Sequence, residues 1–148
     1  MADDTDVLLK IYQEQWAQAR QHENQRVTIT NIVLLISSAI VGFITQQGVS
    51  PQMLPVAILL VIVGIFGAVA CSKLYEVSEL HFGRVRALYD RLNVLHPKTH
   101  LKKIKEDADL KHKSLFPKLT KLHVHQFWLA LHLIIILFGI VLSLMTVI

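Results

Sequence analysis

The sequence predicts an all-α fold: an integral membrane helical bundle with three transmembrane helices and long cytoplasmic helical extensions. Three observations predict it. Residues 27–45, 53–71 and 127–148 contain no Lys, Arg, Asp or Glu, and about 19 to 22 residues at 1.5 Å rise cover roughly 30 Å, one hydrocarbon core. All charged side chains fall in residues 1–26 and 72–126. The positive-inside rule therefore puts the N-terminus and the long middle segment in the cytoplasm, and the C-terminus on the far side. Finally, no Gly or Pro occurs between Asp6 and Gly42, so a helix that starts early has no reason to stop before the membrane is crossed.

The first element, residues 1–26, is a cytoplasmic amphipathic helix. Asp3, Asp4 and Asp6 favour a helix N-terminus, where carboxylates meet the positive end of the macrodipole. The acidic start lacks the basic and apolar regions of a signal peptide, so the first span, 27–45, is expected to be retained as an anchor. Gly48-Val-Ser-Pro51 reads as a tight outer turn. The second span, 53–71, continues into a cytoplasmic helix over 72–95, because Leu74, Val77, His81, Val85, Leu88 and Leu92 recur every three or four residues. His96-Pro97 ends it. Pairing the first two helices antiparallel, with Val27 beside Cys71, makes partner numbers sum to about 98. Trp16 then meets Phe82, Tyr12 meets Val85 and Arg86, Arg20 meets Ser78 and Glu79, and Glu14 meets Arg84. The alternative is that these faces meet solvent or another subunit.

Residues 96–122 form a basic cytoplasmic segment with eight lysines against Glu106, Asp107 and Asp109. Leu101, Ile104 and Ala108 suggest one short amphipathic helix, and Pro117 is expected to open the last one. Lysines beside a bilayer are attracted to anionic lipid or simply solvated. No nucleic-acid partner is expected, since only Phe116 offers a stacking surface among them. The third span, 127–148, begins with the aromatic anchor Phe127-Trp128.

Each span carries one small-x-x-x-small pair: Ser38 with Gly42, Gly64 with Ala68, and Gly139 with Ser143. Such pairs let backbones approach where lipid removes the hydrophobic drive for helix association, so helix packing or a homo-oligomer is expected. Gly64 and Ala68 are expected to matter to assembly, and Leu60 to face lipid or to accommodate a cavity. Two polar residues stand out in the spans. Asn31 falls opposite Gly67 in the antiparallel register, which suggests an interhelical hydrogen bond or a hydrated inner vestibule. His132 is expected to face a bundle interior or pore, since polar groups inside spans are costly and functional. Cys71 reads as a small helix residue on the reducing side.

Catalysis and cofactors find little support. His96 and His100 are separated by Pro97, His123 and His125 point to different faces, and a haem would need a second axial histidine that spans one and two lack. Arg91 and His96 match the R-x4-H spacing of HEPN-class ribonucleases, but His96 sits at a helix end. There is no nucleophile with its base and no phosphate-cradling Gly-rich loop. The expectation is a non-enzymatic protein with no cofactor and no metal.

The segment from Trp16 through Arg20, His22 and Glu23 to Arg26, followed by two spans, a short outer turn and a returning helix beginning Lys73-Leu-Tyr75, resembles the SLATT-like membrane effectors of bacterial phage-defence systems. The likeness covers the first 95 residues, and the third span is additional to the two-span pattern. It implies an oligomeric effector that perforates or depolarises the bacterial inner membrane when a cytoplasmic protein or small molecule triggers it. A charged collar of Trp16, Arg20, Glu23, Arg26 and Glu79 is expected to couple the signal. The alternative is a non-catalytic accessory or structural subunit of a larger membrane complex.

Overall fold

In the computed structural model, which describes residues 4–148, the chain is helical from end to end. Its elements are α1 (Asp4–Gln47), α2 (Leu54–Leu95), α3 (Leu101–Leu115) and α4 (Val124–Met145), joined by 3₁₀ turns at Pro51–Met53, Pro97–Thr99 and Leu119–Lys121. Three helical stretches are long and apolar enough to cross a membrane: Asp4–Gln47, Pro51–Leu95 and Val124–Met145. Asp3 of the expected first turn lies outside the described residues.

The helix ends follow local chemistry. Asp4 and Asp6 occupy the first turn of α1, and Gly48, at φ 79°, stops it in the left-handed conformation that glycine adopts without a Cβ penalty. Ser50 is extended and Pro51 starts the 3₁₀ turn before α2. His96, held off helical geometry by Pro97, closes α2 at φ −123°. The expected role of Pro117 is corrected: it does not open the last helix. Phe116, the residue before it, leaves helical geometry at φ −129° and ψ 56° and ends α3, so Pro117 falls in the connection and α4 begins at Val124.

The chain forms two compact units, each taking part of α1 and part of α2. The charged unit comprises α1 up to Glu23 together with Glu76–His123. Its seam is Ala19, Ser78, Val85 and Leu92, all buried. Trp16 meets Phe82 edge-on at 5.4 Å, and the Ser78 hydroxyl donates to the Ala19 carbonyl at 3.3 Å. These pairs reproduce the expected antiparallel register. Not every expected partner does: Glu79 pairs with Arg86 on its own helix at 3.4 Å, Glu14 accepts from Gln18, and Arg20 is exposed. α3 is tied to α2 by Tyr89, whose hydroxyl donates to the Leu101 carbonyl, and by Asn93, which accepts from the Lys102 amide at 3.1 Å. Beyond Leu101, α3 is exposed along its length.

The apolar unit comprises Asn24–Tyr75 and Val124–Ile148. Val33, Ile40 and Ile44 of α1, Ala57 and Leu60 of α2, and Ile135 and Leu142 of α4 make its core. Leu60 is 1% exposed, which corrects the expectation that it faces the exterior. α4 packs on α2 through two glycines. A Cβ on Gly64 would lie 2.7 Å from Ile136, and one on Gly139 would lie 2.9 Å from the backbone nitrogen of Val61. Ala68 and Ser143 are half-buried, and the Ser143 hydroxyl bonds back to the Gly139 carbonyl at 2.8 Å. The pair on α1 differs: Ser38 and Gly42 are exposed, and nothing lies within 4 Å of a Cβ placed on Gly42. Between α1 and α4 runs an open groove of about 470 Å³, edged by Leu34, Ser38, Gly42, Ile134 and Phe138 over Leu60.

Candidate functional site

The apolar unit contains one stacked set of polar and aromatic side chains, assembled by simple helical spacing. On the part of α1 in this unit, Arg26, Thr30, Val33, Ser37, Ile40 and Ile44 are the buried positions, a stripe with steps of three and four. On α2, Cys71 and Tyr75 are one turn apart. On α4, His125, Trp128 and His132 share a face. Each helix therefore contributes to two layers.

The inner layer is Thr30, Cys71 and His132, which are 0%, 3% and 0% exposed. His132 Nε2 lies 3.2 Å from Cys71 Sγ and 3.3 Å from Thr30 Oγ1, and those two atoms are 3.3 Å apart. The ring fits because Gly67 has no side chain: a Cβ there would overlap His132 Nδ1 and Cε1, and would come within 3.1 Å of Val33. His132 Nδ1 is buried with no partner among the described residues. Because an unpaired buried N–H costs more than an unused lone pair, the proton belongs on Nε2, which donates into the Thr30–Cys71 pair. The Cys71 thiol and the Thr30 hydroxyl are then free to donate onward, and the Arg26 carbonyl lies 3.9 Å from Cys71 Sγ.

The outer layer is Arg26 with three rings. Arg26 is 5% exposed, and its guanidinium carbon lies 5.9 Å from the Tyr75 ring centre and 6.0 Å from that of Trp128. Tyr75 stacks on His125 at 4.1 Å and 17°. A cation between two aromatic faces gains from both quadrupoles, by about 0.5 to 2 kcal/mol for each when desolvated. Beside it, a pocket of about 250 Å³ reaches from Ser72 and Tyr75 past Arg26 down to Cys71.

His132 and Arg26, both singled out from the sequence, belong to this site. Asn31 does not. It is exposed, one residue round the helix from Thr30, and Val33 and His132 meet Gly67 in its stead. The expected collar is divided, with Trp16, Arg20, Glu23 and Glu79 in the charged unit and Arg26 in the apolar one. Cys71, Thr30, Tyr75 and Gly67 were not legible as site residues, although the shared face of His125 and His132 and the four-residue step from Arg26 to Thr30 were the available signals. Cys71 and His132 supply one sulfur and one nitrogen, and among the described residues no three His, Cys, Asp or Glu side chains gather as a metal set.

The charged unit holds a second polar contact. His81 stacks on His22 at 5.4 Å and its Nδ1 meets Gln15 Oε1 at 2.8 Å. Desolvation against α1, then the charges of Arg84 and His22, lower its pKa below 6.5. Burial, followed by the neighbouring Tyr12 and nearby carboxylates, raises that of Tyr89. No known protein family, curated protein or solved structure matches this chain.

Proposed function

We propose that this chain is an oligomeric effector of the bacterial inner membrane, N-terminus in the cytoplasm and C-terminus in the periplasm, which permeabilises or depolarises the membrane when a cytoplasmic protein or small molecule triggers it. Anti-phage defence is the setting that the SLATT-like resemblance suggests. The observation that carries the reading is the cluster of Thr30, Cys71 and His132, buried and in mutual contact within a predominantly apolar three-helix unit. Polar groups there cost stability, and spans keep them for pathways and switches. In this reading the cluster is a latch. Hydroxyl and sulfur contacts hold α4 against α1 and α2, and release turns His132, Thr30 and Arg26 toward a shared water-filled path. Outward-facing Leu35, Phe66 and Ile134, at 73%, 61% and 66% exposed, support a lipid surround, since such a surface is a liability in water. The outward Ser38–Gly42 pair supports association between copies by close backbone approach.

The test is induced expression in a bacterial host with a membrane-potential dye. Wild type depolarises cells, and His132→Leu, which keeps the volume and removes the polar path, does so at least tenfold less at equal membrane abundance. A wild type that leaves the potential untouched at high abundance, both alone and in phage-infected cells, overturns the effector reading. A cytoplasm-dependent reporter should work beside Lys103 and fail after Ile148; activity after Ile148 overturns the topology. One observation favours the accessory-subunit alternative. α3 presents Ile104, Leu110 and Leu115 at 61% to 67% exposure among its lysines, a surface suited to a protein partner.

A further inference from the structure

We infer that the segment from the last turn of α3 to the start of α4, residues 111–122, docks on an anionic membrane surface. The inference rests on α4 crossing a membrane and not on the effector reading. Its first support is charge. Glu106, Asp107 and Asp109 all precede Lys111, and no Asp or Glu follows to the end of the chain. Lys111, Lys113, Lys118 and Lys121 are exposed, and among the described residues none of them pairs with a carboxylate. The earlier turns of α3 carry both signs of charge, which suits a protein surface, whereas this stretch carries one sign, which suits a leaflet of anionic headgroups. The second support is exposed apolar surface. Phe116 meets the His112 ring at 5.2 Å and is still 44% exposed, and Leu119 and Leu122 are 63% and 52% exposed. The two leucines stand three residues apart, the repeat of the 3₁₀ turn Leu119–Lys121. Apolar side chains interleaved with lysines settle at the boundary between headgroups and acyl chains, while the lysine stems carry their charges back to the phosphates. The third support is distance. α4 is helical from Val124, so the rise from there to Phe127, where the third apolar stretch begins, is about 5 Å, comparable to a headgroup layer of about 5 to 7 Å. A span that enters the bilayer at Phe127 therefore keeps Leu122 and Lys121 beside the headgroups, and docking is an intramolecular step.

The test uses the full chain with Leu119→Cys carrying an NBD fluorophore, whose emission rises when it leaves water. The wild-type chain, with Cys71 only 3% exposed, gives the labelling background. Both are reconstituted into vesicles of phosphatidylcholine alone and of equal parts phosphatidylcholine and phosphatidylglycerol, with the two leaflets alike so that the direction of insertion does not matter. Emission should be about threefold or more higher in the anionic vesicles, and the gain should shrink at about 1 M salt, where the screening length is about 3 Å. Lys118→Gln with Lys121→Gln should remove the gain, and Lys98→Gln with Lys103→Gln, at exposed positions around the start of α3, should keep it. Flotation after an alkaline wash reads insertion separately. A chain that fails to float overturns the membrane placement and the docking together, whereas an inserted chain with equal emission in the two vesicles overturns the docking alone and leaves this face to a protein partner. Equal loss in both lysine pairs assigns the gain to net charge and overturns the site. High emission in both vesicles that grows with the protein-to-lipid ratio assigns the face to a second copy and overturns it as well.

Discussion

The charged and apolar units are made from the same two long helices, yet their seams are built on different principles. In the charged unit the seam is apolar and aromatic, with Trp16 on Phe82 and with Ala19, Val85 and Leu92 buried, while the outer faces are charged. In the apolar unit polar side chains are buried beside an apolar core, and apolar ones cover the outside. Arg26, Thr30, Ser37 and His132 are buried, and Leu35, Val69 and Ile134 point outward. Water drives the first kind of packing by rejecting apolar area. Where the surroundings are as apolar as the core, that drive vanishes, and contact rests on close backbone approach and on polar bonds. Gly64 and Gly139 supply the one and the cluster around His132 the other.

The most severe way to break the apolar unit is Gly139→Leu. Its side chain must displace the backbone at Val61 rather than a flexible side chain, so α4 is expected to separate from α2, read as lost resistance to unfolding in detergent. Even Gly139→Ala should cost about 1 to 3 kcal/mol, whereas Gly42→Ala, with open space around it, should cost the isolated chain nothing and affect only association between copies. Equal effects at Gly42 and Gly139 would erase the distinction between the two small-residue pairs.

Next in size is Leu60→Ala, expected to cost about 2 kcal/mol through the cavity it leaves. The transfer contribution that enlarges such costs in water is largely missing when the separated helices remain in an apolar solvent. A cost above that of Val85→Ala in the charged unit would contradict this difference in driving force.

A smaller effect distinguishes the units by pH. The folded pKa of His81 lies below its unfolded value of 6.5, so the folded form holds fewer protons. Its contribution is complete above about pH 6.5 and is lost as pH falls through that value toward the lower folded pKa. Hydrogen-exchange protection factors at the Ala19–Ser78 seam should fall across this window in wild type and stay level in His81→Gln. A fall in both would assign the effect elsewhere.

The smallest effect is at the collar. Glu79 pairs with Arg86, both side chains being 43% or more exposed, and such pairs are worth about 0 to 1 kcal/mol. Arg20→Glu combined with Glu79→Arg should show a coupling energy near zero, and Glu79→Ala with Arg86→Ala a few tenths of a kcal/mol. A large coupling between Arg20 and Glu79 would restore the register expected from the sequence at that point.

Helix number, the ends of α1 and α2 and the antiparallel register of the charged unit were legible in the sequence, because they depend on local quantities, whereas the start of α4 was not. Run length, the glycine after Gln47, the proline after His96 and a three-to-four spacing each act within a turn or two. The face of a helix that turns inward was legible only where water makes the two faces differ, as at Trp16, Val85 and Leu92. In an apolar run every face has the same composition, and nothing local told Thr30 from Asn31, the Gly139 pair from the Ser38 pair, or a buried Leu60 from an exposed one. Those choices belong to tertiary packing. α4 fits against α2 only where Gly64 and Gly139 let backbones meet, and that fit then sets which side chains face His132 and which face out.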